Sequence, residues 1–147
     1  MSRIISYRGL IADGAQRQIA LQTINGLKGY RIVKLNIITE NPGTTAYEHI
    51  IKIYKTEQSA VTADIDFDDN RLLGVGFTKG DELTYRSAGT TDIIFDNEKF
   101  NQDIFITHVD TKNALACNYY IELEQMDLSL DEQTVATLKD IRNTGTQ

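Results

Sequence analysis

From Cys117 to Met126 the chain alternates between apolar and polar side chains. Cys117, Tyr119, Ile121 and Leu123 fall on one side, and Asn118, Tyr120, Glu122 and Glu124 on the other. A period of two is the mark of a strand with one buried face, and a helix would scatter the same apolar residues around its axis. The pattern recurs and predicts strands near Gln18–Ile24, Tyr30–Glu40, Tyr47–Thr56, Arg71–Phe77, Thr91–Phe95, Asp103–Asp110 and Cys117–Met126. Weaker candidates lie near Ile4–Arg8, Thr62–Phe67 and Glu82–Tyr85. Ile, Val, Tyr, Phe and Thr dominate these runs, as a pleated, half-buried surface requires. Pro42-Gly43 has the chemistry of a type II turn, and Asn25-Gly26, Lys28-Gly29, Asp69-Asn70, Lys79-Gly80 and Ala88-Gly89 mark further reversals. The expected fold is all-β, an antiparallel β-sandwich, with a jelly roll preferred among the Greek-key orders. Val33, Leu35, Ile37, Ile121 and Leu123 should share its core, with Glu122 and Glu124 facing solvent or a partner.

A chain of 147 residues with 41% hydrophobic content is about one domain, and such a domain buries roughly 68–70% of its unfolded surface. The single Cys117 forms no internal disulfide, and its place on the apolar side of a strand makes it a small core filler rather than a reactive thiol. The carboxy-terminal region alone reads as helix. Ser129 and Glu132 have the spacing of a capping box, Val135, Leu138 and Ile141 share a face, and Lys139 and Arg142 suit the negative end of the dipole. The expected organisation is an arm or edge strand over 1–14, a sandwich over 15–128 and an amphipathic helix over 129–143. That helix is too short to persist alone, so it lies either on its own sandwich or on a neighbour.

The net charge of −6 opposes a nucleic-acid partner, since affinity for a phosphate backbone comes from neutralising it with Lys and Arg. The charge is unevenly spread along the chain. Residues 1–55 carry eight Lys and Arg against three Asp and Glu, a balance of +5, and the remainder carries −11. Opposite poles could orient copies side by side; alternatively, early and late strands interleave and the split vanishes in space. No segment approaches the ~20 apolar residues of a membrane-spanning helix, and the first residues lack the apolar run of a signal peptide. Synthesis in a cytoplasm, without a membrane partner, is the expectation.

Candidate chemistry is sparse. Asp64, Asp66 and Asp68 open like a calcium loop, but Asp69 occupies the position of the sharp-turn glycine and Val75 that of the bidentate glutamate. An edge strand with acids facing water, closed by an Asp-Asn turn, fits better. His49 and His108 are far apart in sequence and form no ligand pair such as H-x-H; His108 follows Ile104 and Ile106 on one face and reads as a core-edge residue satisfied locally. Gly74-Val75-Gly76 lacks the third glycine and the helix of a phosphate loop and marks a bulge or a close backbone approach. Tyr119 and Tyr120 could stack on bases or sugars, yet Glu122 and Glu124 oppose a nucleic acid, and packing explains most of the aromatics. No catalytic residues, cofactor or metal are expected.

The segments Tyr7–Gly14, Gly29–Lys34, Ile94–Glu98, Phe100–Phe105, Asn118–Glu124 and Leu138–Arg142 resemble those of small structural proteins from marine tailed bacteriophages. The resemblance spans nearly the whole chain and rests on strand and turn sequences. It implies a virion component without enzymatic activity, made in the host cytoplasm. The expected role is a capsid decoration or cement protein that binds copies of itself and other virion proteins such as the major capsid protein. A tail or neck component is the alternative within the same class, and a carbohydrate- or receptor-binding sandwich the alternative outside it. The expected interface comprises Ile4, Ile5, Tyr7, Leu10 and Ile11 of the amino-terminal arm, too apolar for water and too short for a core of its own, with Val135, Leu138 and Ile141 of the helix.

Overall fold

The computed structural model describes residues 3–21, 28–42, 46–81, 86–95 and 98–128, and these form eight strands in two antiparallel sheets. β1 (Arg3–Ile11), β8 (Cys117–Asp127) and β3 (Lys28–Thr39) make the smaller sheet in the order β1-β8-β3. β2 (Gln16–Ile19), β7 (Ile104–Asp110), β4 (Tyr47–Tyr54), β5 (Leu72–Asp81) and β6 (Arg86–Ile94) make the larger, in the order β2-β7-β4-β5-β6. The expected helix over 129–143, the weak strand at Glu82–Tyr85 and the turns at Asn25-Gly26 and Gly43 lie outside the described residues.

Alternation does what it promises where the pleat is regular. Cys117, Tyr119, Ile121 and Leu123 of β8, with Ile32, Leu35 and Ile37 of β3 and Ile11 of β1, meet Ile51 and Ile53 of β4 and Ile104 and Ile106 of β7 in one buried cluster. Val33 departs from the expected pattern. The β3–β8 register passes from Ile32↔Leu123 to Lys34↔Glu122, so Val33 is the extra residue of a bulge. Ile32 takes the inward position instead, and Val33 is only partly buried. A bulge inserts one unpaired residue and shifts the alternation by one.

A further departure has a physical cause. Thr62–Phe67 is not a strand; it belongs to a loop that covers the outer face of β4, tied by the Lys52 ammonium to the Asp64 carbonyl at 2.5 Å. This cover explains why β4 is buried on both faces from His49 onward. The loop then reverses where Asp69 N donates to Asp66 O at 3.2 Å. Gly74 and Gly76 mark close backbone approaches, as expected, Gly76 across the core to Ile37 of β3 and Gly74 within its own sheet to β6. A Cβ on Gly76 would sit 3.2 Å from Ile37 Cδ1, and one on Gly74 3.2 Å from the Ile93 carbonyl. The nearby register shift falls between Gly74 and Leu72, opposite Ile53 and Tyr54.

The sequence-level charge split disappears in space. Acidic β8 runs between basic β1 and β3, Arg31 Nε donates to Glu124 at 2.6 Å, and Lys28 pairs with Asp127. Glu124 and Glu122 are half-buried, Glu122 accepting from the Tyr120 hydroxyl at 2.7 Å.

Candidate functional site

Two places in this fold carry chemistry or contact potential, and strand pairing creates both. The first is buried. His49 falls on the inward parity of β4 with Ile51 and Ile53, and His108 on that of β7 after Ile104 and Ile106. The β4–β7 register sets Ile51 against His108 and His49 against Asp110, which makes the two histidines diagonal neighbours on one face. Across the core, Cys117 is flanked in its own sheet by Ile11 of β1 and Thr39 of β3. The inward ends of the two sheets therefore meet through polar groups.

The hydrogen bonds form a directed chain. His108 Nδ1 lies 3.0 Å from the Ala12 carbonyl, which can only accept, so Nδ1 carries the proton and Nε2 has a free lone pair. His49 Nδ1, 2.8 Å away, donates to that lone pair, and His49 Nε2 in turn accepts from Thr39 Oγ1 at 2.8 Å. Both rings are neutral. Burial, reinforced by His108, pushes His49 down to about 4 from an ordinary 6.5, against the pull of Asp110 and Asp13. Burial likewise lowers His108, and burial together with Asp110 pushes the Cys117 thiol up to about 12. Tyr47 stacks on the outer side of His49 with ring centroids 5.1 Å apart.

The surrounding loops lock this arrangement. Asp110 accepts from the amides of Glu48, Lys112 and Leu115 at 3.1, 2.9 and 2.8 Å. Burial works to raise its carboxyl, but these amides and His49 outweigh burial and hold it below its usual range. Asp13 accepts from the Asp110 amide at 2.7 Å, and the Ala12–Ala15 turn is stapled to β7 by Gly14 N donating to His108 O and His108 N to Ala15 O. Gly14, at φ 75°, supplies the left-handed residue of that turn.

Sequence reasoning kept the histidines apart because they are separated by 59 residues. The apolar face of His108 was visible in the sequence; the inward position of His49 on a strand buried on both faces, and the pairing of β4 with β7, were not. His108 is satisfied locally as expected, by Ala12 and by the second histidine, but it is fully buried rather than at the core edge. Cys117 is fully buried, as a core filler should be. Among the described residues, His49, His108 and Cys117 bring ligand atoms within 4.8 Å of one another. The aspartate run does not converge in that way. Asp69 is engaged by Arg71 through Nε and Nη2, both at 2.9 Å, and Asp66 accepts from the Asp68 amide at 2.9 Å.

The second place is the rim of the smaller sheet. β1 pairs with β8 over the whole of Arg3–Ile11 and leaves its other edge at the boundary of the sheet. Ile5, Tyr7 and Ile11 point inward and pack on the core. Ile4 and Leu10 point outward and remain 54% and 38% exposed. The expected interface set thus divides by strand parity; Val135, Leu138 and Ile141 lie outside the described residues. No protein-family model and no curated protein sequence matches the chain.

Proposed function

We propose that this chain is a non-enzymatic structural protein of a bacteriophage virion, a jelly-roll-like β-sandwich that decorates or cements a capsid by joining its β1 edge to a neighbouring subunit. Strand pairing supports the architecture. A jelly roll wraps one long hairpin into two Greek keys, so that first pairs with eighth, second with seventh, third with sixth and fourth with fifth. Here β1 pairs with β8, β2 with β7 and β4 with β5, while β6 bonds to β5 and lies against β3. The virion assignment rests on the sequence resemblance.

The observation that carries the assembly role is that, among the described residues, β1 has no strand on its outer edge while Ile4 and Leu10 on it are exposed. Unpaired strand edges are templates for another strand, and natural proteins that avoid pairing blunt them with charge or proline. β1 holds Arg3 and Arg8 but no proline. An antiparallel pairing of two β1 strands centred on Tyr7 places Ile4 opposite Leu10 of the partner subunit on both sides of the axis, and Arg8 opposite Ser6 rather than a like charge. Tyr7 would then meet Tyr7 of the partner subunit on the inner face and extend the core.

Sedimentation of the full chain should show a concentration-dependent oligomer. Leu10→Glu should shift it to monomer with an unchanged circular dichroism spectrum. A wild-type monomer at all concentrations would remove the edge reading. Absence of the chain from peptide maps of purified particles would remove the virion reading.

A further inference from the structure

The chain contains one cysteine and two histidines, and all three meet at one fully buried point of the core. Two nitrogens and one sulfur converge there, and the chemistry behind them is that of a ligand set. Metal-bound histidines almost always donate their outer N–H to a carbonyl, carboxylate or water. The outer nitrogen of His108, Nδ1, already faces the Ala12 carbonyl at 3.0 Å, and the outer nitrogen of His49, Nε2, faces the Thr39 hydroxyl at 2.8 Å. The inner pair, His49 Nδ1 and His108 Nε2, face each other at 2.8 Å. We propose that His49 Nδ1, His108 Nε2 and Cys117 Sγ form a binding site for one thiophilic transition-metal ion of the zinc class, seated between the two sheets.

The geometric demand is modest. Tetrahedral zinc, with bonds of about 2.3 Å to sulfur and about 2.0–2.1 Å to nitrogen, needs ligand atoms roughly 3.3–3.6 Å apart. The rings must part slightly from 2.8 Å, and the thiol must close from separations of up to 4.8 Å. A turn of the Cys117 side chain and small ring tilts are of that size. Cys117 Sγ donates weak hydrogen bonds to the Ile38 and Asn118 carbonyls at 3.6 and 3.5 Å, which a metal-bound thiolate would give up. Three protein ligands leave a fourth position for water. Nearby Asp110 and Asp13, which act on both histidines, offset the added positive charge.

Protons balance in a defined way. In the metal-free chain His49 donates from Nδ1 and accepts at Nε2. On binding, its proton exchanges from Nδ1 to Nε2, and the Thr39 hydroxyl turns from donor to acceptor, which a hydroxyl can do. The thiol becomes a metal-bound thiolate and its proton leaves to solvent. One proton is released per ion, with no change of redox state.

The site is enclosed, so the test is to refold the full chain from denaturant with Co(II) as the spectroscopic probe. The expected result is one Co(II) per chain, an intense near-ultraviolet thiolate-to-metal band, release of one proton, and displacement by Zn(II). X-ray absorption of the zinc form should show one sulfur and two imidazoles. Thr39→Val should weaken binding about 10–100-fold, as loss of an outer-shell partner does, and Cys117→Ser should abolish the thiolate band. A folded wild-type chain without the band, or metal held by oxygen ligands alone, overturns the proposal. So does a Cys117→Ser chain that binds Co(II) as tightly as wild type; if that variant does not fold, the wild-type absorption spectrum decides.

Discussion

His49 donates from Nδ1 to Nε2 of His108 across 2.8 Å, and both rings are fully buried where the two sheets meet. The pair connects the Thr39 hydroxyl at the end of β3 to the Ala12 carbonyl beyond β1, so a single chain of hydrogen bonds crosses the core. Such a network is stable while every member is satisfied and costly when one is not.

Acid should weaken the metal-free protein through this pair. His49 titrates near 4 in the folded state against 6.5, so between those values the unfolded chain binds more protons. The stability is fully present above about pH 6.5 and declines as pH falls toward 4. For His49 alone the loss amounts to about 3 kcal/mol. Urea midpoints measured at pH 7.5 and pH 4.5 check this; equal midpoints would show that the histidines are not buried neutral.

Thr39→Val keeps the shape of the side chain and removes the hydroxyl that His49 Nε2 uses. One buried ring nitrogen is left without its partner, at a cost of about 1–3 kcal/mol. Replacing His49 and His108 together by apolar residues should cost less than the sum of the single replacements, because no orphaned nitrogen remains. A double-mutant cycle by chemical denaturation measures the difference.

Gly76→Val should destabilise by about 1–3 kcal/mol through overpacking. Its first carbon alone would lie 3.2 Å from Ile37 Cδ1 and 3.3 Å from Ile37 Cγ2. Combining it with Ile37→Ala should recover part of the loss; strictly additive effects in thermal unfolding would argue against contact between these positions.

Lys52→Met should loosen the covering loop without unfolding the domain. Lys52 is buried, burial depresses its ammonium below the usual lysine range, and its head group holds the Asp64 carbonyl and lies 5.5 Å from the Tyr54 ring centroid. Replacing a buried charge by an apolar chain of similar length is often near neutral for global stability. Amide exchange over residues 62–69 should quicken while that of β7 and β8 stays unchanged; equal acceleration everywhere would contradict a local tether.

Strand identity was legible wherever side chains alternate. Cys117–Met126, Asp103–Asp110, Tyr47–Thr56 and Tyr30–Glu40 all became strands within about two residues of their expected bounds, because period two is imposed by the pleat itself. Ile4–Arg8 read as weak and became a nine-residue strand, since its inward residues gain their burial only by pairing with β8. Thr62–Phe67 alternated equally well and formed no strand: Lys52 ties its backbone across the outer face of β4 through the Asp64 carbonyl instead.

Composition and alternation thus determined that the described residues would be all-β, which face of most strands would be apolar, and that Cys117 and His108 would lie on apolar faces. Only the tertiary structure decided which strands are neighbours. Hydrogen-bonded pairing of β7 with β4 brings residues 49 and 108 together, packing of the two sheets adds residue 117, and one inserted residue at Val33 resets the phase of β3. Side-chain periodicity is a local property of each strand, whereas strand order and register minimise the free energy of all strands at once, so a site built across four of them has no signature in any one.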